Sequence, residues 1–311
     1  IRFWRKSPYR RVLNDFNYFS FVLKVLLKLK DAGHSLSYPQ FILSLFSDDG
    51  DVDQFIDTIS SIKLGNDIDA MYNYILAKYS NIDELHPKVN KQQTVVNDYG
   101  NTVFRVLQLT GLISVENKSG VLLISVNENR KDFLMYLLGE NFAISEDAKE
   151  NEMLYFTEIG EITPQLIANI ASYREPESLV LTNYNAVLHK VICDYSITEE
   201  KIVDMIKSIT SDNKEKLFWY IQKPLKLEFF ISMLIYLKYG DEYIVKPNYK
   251  ADDKGIPYQH APGNIGDINI TSDTTNWLVE VTLIRNKTQQ LNSETANCIR
   301  HLLQSNSENN Y

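Results

Sequence analysis

The chain has 311 residues, 44% hydrophobic and 23% charged, which excludes intrinsic disorder and leaves room for two domains with separate cores. Its formal net charge of −8 excludes a protein that coats nucleic acid along its whole surface. Cys193 and Cys298 show no C-x-x-C spacing, and the longest apolar runs, such as "FFISMLIYL", are too short to span a bilayer. Cysteine chemistry, a zinc centre and membrane passage are therefore set aside in favour of a soluble, cytoplasmic chain.

The chain opens on Ile1, has no start resembling a signal peptide, and is expected to be a piece of something longer. Residues 1–30 carry Arg2, Arg5, Lys6, Arg10, Arg11, Lys24, Lys28 and Lys30 against Asp15 alone, a net +7 that leaves −15 for the remainder. Such asymmetry describes either a phosphate-binding surface or a solvated basic face. Apolar spacing predicts helices in "FNYFSFVLKVLLKLKDAG", "SYPQFILSLF", "DVDQFIDTISSIK" and "NDIDAMYNYILAKYS".

The spacing also predicts one helix from Val95 to Gln108. Val96, Tyr99, Val103, Val106 and Leu107 lie on one side, and Asp98, Asn101, Thr102, Arg105 and Gln108 form a polar stripe on the other. "LISVE" and "VLLISV" then bracket Asn117-Lys118-Ser119-Gly120, a hairpin signal. Helix, strand, turn, strand is the order of a winged helix, and also of any amphipathic helix beside a hairpin. Residues 141–163 are rich in acids with little periodicity and are expected to be an acidic linker or surface excursion. "TPQLIANIASYR", "TEEKIVDMIKSI" and "KPLKLEFFISMLIYLKYG" are predicted helices, the last opened by Pro224 and closed by Gly240, and strands begin at "EYIVKP".

Two strands near the end each carry a carboxylate. Alternation places Ile265, Asp267 and Asn269 on one face of the first, and Leu278, Glu280, Thr282 and Ile284 on one face of the second. A two-residue turn at Asp273-Thr274 puts 272 opposite 275, 270 opposite 277 and Asp267 opposite Glu280, with Cβ atoms about 5 Å apart. Two negative charges at that distance repel by about 3 kcal/mol at an effective dielectric constant of about 20. No Lys or Arg lies nearby on that face, so either a hard divalent ion sits between the acids or both point to water. The helix predicted in "TQQLNSETANCIRHLLQ" aligns Gln290, Glu294, Cys298 and His301 along one stripe, and Glu228 lies within a mostly apolar helix.

The segments "VKPNYKADDKGIPYQHAPGNIGDI", "LVEVTL" and "QQLNSETANCIRHL" carry PNY, DD-x-G-x-P, A-x-G-x-x-x-D, EVTL and RHL in order. This chain resembles the AlwI-type family of type IIS restriction endonucleases, a branch of the PD-(D/E)xK nucleases. The resemblance is dense over residues 224–303 and thinner over 90–223. It implies an α+β chain in which a helical, winged-helix-like DNA-recognition part (residues 1–140, winged-helix-like at 95–127) joins a nuclease core at residues 164–311. That core is expected to be a central mixed sheet flanked by helices, with the chain either truncated at both ends or its fold completed differently.

The resemblance further implies that Asp267 and Glu280 bind the catalytic Mg2+, for which Mn2+ substitutes, and that Glu228, Glu294 and His301 complete the site. Gly266 stands where the wider nuclease pattern has Pro, and Thr282 where it has Lys, which leaves His301 and Glu294 as candidates for water activation. The implied partner is double-stranded DNA, read by Arg2, Arg5, Lys6, Arg10, Arg11, Asn101, Arg105 and Gln108, with a second nuclease subunit or transient self-association on DNA. Competing readings are a strand-specific nicking subunit and a catalytically inactive DNA-binding module.

Overall fold

A computed structural model of the chain describes residues 17–47, 49–62, 67–79, 91–139, 145, 147, 151–172, 183–211, 216–263 and 265–308. The fold is α+β, with helices and small antiparallel sheets. Two compact units divide it: Ile1–Ile113 with Val121–Leu181, and Ser114–Gly120 with Thr182–Tyr311.

The first unit forms around the aromatic N-terminal sequence. Helix α1 (Tyr18–Asp31) is capped by Asn17, whose side chain accepts the Ser20 N–H, and buries Phe19, Val22 and Leu26. Gly33, at φ +75°, ends it. Strand β1 (Leu36–Ser37) leads into α2 (Tyr38–Ser44), opened by a reciprocal capping box between Ser37 and Gln40. Helices α3 (Val52–Ser61) and α4 (Ile68–Tyr79) follow, as their spacing predicts. Phe41 and Phe104 meet edge to face at 5.7 Å, both fully buried, and each contributes roughly 1.5–3 kcal/mol of hydrophobic stabilisation.

The single helix expected over residues 95–108 is a π-helix at Thr94–Gly100 followed by helix α5 (Asn101–Leu109). The wider π turn changes the helical phase, so a stripe counted at 3.6 residues per turn does not run straight through. Gln108 is 7% exposed and belongs to the core, whereas Arg105 is exposed and its Nε donates to Asn101 Oδ1 at 3.1 Å. Val106, expected on the apolar side, is 39% exposed. Gly100 has a steric reason: a Cβ there would come within 2.0 Å of Ile42 Cδ1.

Strands β2 (Ile113–Lys118) and β3 (Val121–Val126) flank the turn Ser119-Gly120, whose two residues take φ of +53° and +85°, the left-handed pair that a tight hairpin turn requires. β3 pairs antiparallel with β1, Leu36 opposite Ile124. After helix α6 (Lys131–Gly139), helix α7 runs Glu152–Ser172, through part of the expected acidic excursion and through Pro164. Two of the described lysines of the basic N-terminal stretch form ion pairs within this unit, Lys28 with Asp53 and Lys30 with Glu128.

In the second unit, helices α8 (Tyr184–Asp194), α9 (Glu199–Ile209) and α10 (Lys223–Tyr239) pack with an antiparallel sheet of β4 (Ile244–Pro247), β7 (Ile268–Thr271) and β8 (Asn276–Val279) in the order β4-β7-β8. Two short strands, β5 (Lys250–Ala251) and β6 (Pro257–Gln259), pair beside it, and helix α11 (Lys287–Glu308) follows β8. Phe229, Phe230, Met233, Val245, Ile268 and Ile270 form the core. Among the described residues the pairs β1-β3, β4-β7, β5-β6 and β7-β8 are all antiparallel, so the mixed central sheet expected from the sequence is not found among these pairs.

The hairpin residues 114–120 are tied into this unit by polar anchors. The Val115 N–H donates to Asp252 Oδ2 at 3.0 Å, Ser114 Oγ bonds Asp253, and the Asn117 N–H donates to the Tyr195 hydroxyl at 3.2 Å. Among the described residues no helix is long and apolar enough to cross a membrane.

Candidate active site

The hairpin that carries the two acids has the register its turn chemistry predicts. Ile268 lies opposite Val279, Ile270 opposite Trp277 and Thr271 opposite Asn276, and the Ser272 N–H donates to the Thr275 carbonyl at 2.8 Å. Asp267 and Glu280 are the next residues outward, just beyond the last paired positions. The second strand was expected to continue through Ile284, but it ends at Val279. A side chain supplies the reason: Asp267 Oδ2 accepts the Val281 N–H at 2.7 Å, in place of a ladder bond. The Ile284 N–H is likewise taken by Thr282 Oγ1 at 3.1 Å.

Glu228 reaches the same place from α10. It is 5% exposed, its Oε1 is 2.6 Å from His260 Nδ1, and its Oε2 is buried without a hydrogen-bond partner. Burial holds the Glu228 carboxyl above the usual carboxylate range; His260 opposes that rise and the Glu280 charge adds to it. Asp267 is pushed up to about 6, first by burial and then by the charges of Glu228 and Glu280, against the Val281 N–H and His260, which favour its ionised form. Burial first, and the neighbouring carboxylate charges second, thus oppose ionisation of Glu228 and Asp267 where one helix meets the open end of one hairpin.

Glu280 is held from the last helix. His301 Nδ1 lies 2.5 Å from Glu280 Oε1, and the imidazole is 10% exposed with Nε2 buried and unpartnered. The sequence-derived residues Asp267, Glu280, Glu228 and His301 are therefore brought together. Glu294 lies in the same helix as His301, but its side chain is outside the described residues, as are Arg2, Arg5, Lys6, Arg10 and Arg11. His260 was missed: it lies in a loop, without periodicity, within the motif-bearing stretch before A-x-G-x-x-x-D, and only that proximity could have drawn attention to it.

Among the described residues no group of three or more His, Cys, Asp or Glu is disposed to hold a metal ion. A hard divalent ion that keeps most of its waters needs only one or two carboxylates. Asp267 and Glu280 supply such a pair, and the orphaned Glu228 Oε2 is a buried acceptor that calls for a cation or a proton. The donor set is all oxygen, so the residues present fit Mg2+ or Mn2+ in preference to a softer metal.

Two segments, residues 1–221 and 181–311, match the family model described as AlwI restriction endonuclease, and together they cover the chain. The chain belongs to the AlwI restriction endonuclease family. No curated protein matches it. Within the AlwI family, a family of site-specific nucleases, the cluster of Glu228, Asp267 and Glu280 is the natural candidate for the hydrolytic centre.

Proposed function

We propose that this chain is a type IIS restriction endonuclease that hydrolyses DNA phosphodiester bonds at a fixed offset from a short asymmetric sequence, with Mg2+ as its cofactor. The observation that carries the proposal is the convergence of three carboxylates, Glu228, Asp267 and Glu280, at the open end of the β7-β8 hairpin, where burial and then the charges of Glu228 and Glu280 raise the Asp267 carboxyl. The order of elements supports a PD-(D/E)xK core: a Glu-bearing helix (α10), three strands in a meander (β4, β7, β8) and a second helix (α11).

Asp267 and Glu280 would hold the ion, which when bound neutralises charge on the scissile phosphate and makes its water more acidic. The protein's own groups do the rest. The Val281 N–H fixes the Asp267 carboxylate through Oδ2, and His301 fixes Glu280 through Oε1, so neither side chain has to be ordered when substrate arrives. Glu228 adds a third carboxyl to the cluster, its Oε2 buried without a hydrogen-bond partner, and strengthens the demand for a cation.

The first unit is the proposed recognition part. Helix α1, strand β1, helices α2 to α4, the π-helix with α5 and then the β2-β3 hairpin follow in that order, and the pairing of Leu36 in β1 with Ile124 in β3 supports a winged-helix-like reading. In this reading α5 enters the major groove, where the exposed Arg105 suits guanine and Asn101 suits adenine. Gln108, being buried, is left out of that contact. A recognition unit separate from the cleavage unit is the arrangement that produces a cut at a distance.

The test is conversion of supercoiled plasmid by the purified chain with Mg2+ or Mn2+. Linear product is expected, with cuts at one offset when the ends are sequenced, and no product from Asp267→Ala or Glu280→Ala. Open circles alone would identify a nicking subunit. No product with either metal would reject the nuclease reading and leave a DNA-binding module.

A further inference from the structure

The two imidazoles of the site are not equivalent. His301 is 10% exposed, tied to Glu280 through Nδ1, and its Nε2 is buried. His260 is 43% exposed and tied through Nδ1 to Glu228, whose side chain is only 6% exposed. A carboxylate partner at Nδ1 places the ring proton there and leaves Nε2 as the basic nitrogen. On His260 that nitrogen makes no hydrogen bond among the described residues.

A rigid turn delivers His260 to this position. Asp252 accepts the N–H groups of Lys254 and Ile256, both at 2.9 Å, and Gly255 takes φ +80° where a Cβ would strike Val187 and Val191. Strand β6 follows, paired with β5, and His260 is the first residue after it. The glutamate it meets lies 32 residues earlier in the chain. Thr282, which stands where the wider nuclease pattern has Lys, has no group able to accept a proton at neutral pH.

We propose that His260 is the catalytic base of this nuclease, oriented by Glu228 and presenting Nε2 to the attacking water. This rests on the nuclease reading given above. The water oxygen bonds to phosphorus as the bond from phosphorus to the 3′ oxygen breaks. The water's proton passes to Nε2, and the leaving oxygen takes a proton from solvent. The products are a 5′-phosphate and a 3′-hydroxyl, and the imidazolium returns its proton to bulk water.

The experiment is single-turnover cleavage of supercoiled plasmid by excess protein with Mg2+, comparing wild type, His260→Asn and His260→Ala. Mn2+ binding by the same proteins is followed by electron paramagnetic resonance. Asn keeps a donor for Glu228 at the place of Nδ1 and removes the basic nitrogen. His260→Asn is expected to cut about 10²- to 10⁴-fold more slowly, with Mn2+ affinity and plasmid retention unchanged. Added imidazole is expected to restore at least about tenfold of the lost rate to His260→Ala, because the vacated site opens to solvent. A rate for His260→Asn within about threefold of wild type would make His260 a positioning residue and overturn the proposal. Loss of Mn2+ binding in that variant would overturn it as well. Wild type that cuts nothing would defeat the nuclease reading itself, a separate failure that the wild-type arm reports.

Discussion

The Val281 N–H donates to Asp267 Oδ2 at 2.7 Å. One carboxylate therefore both faces its neighbour Glu280 and ends the strand on which Glu280 follows.

That double role makes two substitutions at Asp267 differ. The carboxyl is pushed up to about 6, mainly by burial, so its ionisation opposes folding. The favourable contribution of the neutral form is complete below the unfolded value of about 3.9 and is lost as pH rises through about 6. At pH 7.5 Asp267→Asn, which keeps an oxygen for Val281, is expected to be more stable than wild type by about 1 kcal/mol, after allowance for the carboxyl's contact with water. Asp267→Ala loses the acceptor and is expected to fall below Asn by about 1 kcal/mol. Urea denaturation of the three proteins at pH 7.5 and pH 4 measures this, the advantage of Asn shrinking at the lower pH.

Gly266 precedes Asp267 for a packing reason. A Cβ there would come within 2.2 Å of Leu278 Cδ1 and 3.0 Å of Glu280 Oε1. Gly266→Ala is expected to displace both side chains, slowing cleavage about tenfold while costing roughly 1–3 kcal/mol of stability. Plasmid cleavage rates beside thermal melts separate the two effects, and a variant with wild-type rate would show that Glu280 has room to move.

Much of this site was legible in the sequence because the turn at Asp273-Thr274 fixes the register of its hairpin, and register fixes which acids stand opposite. The end of β8 was not legible, since it depends on a side chain taking a backbone N–H. The partnership of Glu228 with His260 joins a helix to a loop and leaves no periodic trace. In the first unit the four early helices follow from apolar spacing, whereas the π-helix at Thr94–Gly100, the burial of Gln108 and the close approach of Ile42 to Gly100 leave no mark in that spacing.

Asp252 supports the turn that carries His260. It is 7% exposed and accepts N–H groups from Val115, Lys254 and Ile256. Asp252→Ala leaves these donors without their acceptor and is expected to cost about 3 kcal/mol, read as a lower denaturation midpoint with unchanged slope. A cost under about 1 kcal/mol would mean that water replaces the carboxylate.

Metal affinity carries the same signature as the Asp267 carboxyl. A divalent ion requires the ionised form, so Mn2+ affinity is expected to be constant well above pH 6 and to fall about tenfold per pH unit below it. Calorimetric titrations at several pH values measure this dependence, and affinity unchanged down to pH 5 would remove Asp267 from the ligands.

The most direct measurement is the anomalous difference density of a crystal soaked in Mn2+. A peak bonded to carboxylate oxygens of both Asp267 and Glu280 is expected. Absence of any peak there, with the two carboxylates turned to separate partners at saturating Mn2+, would contradict a metal-dependent centre at this hairpin.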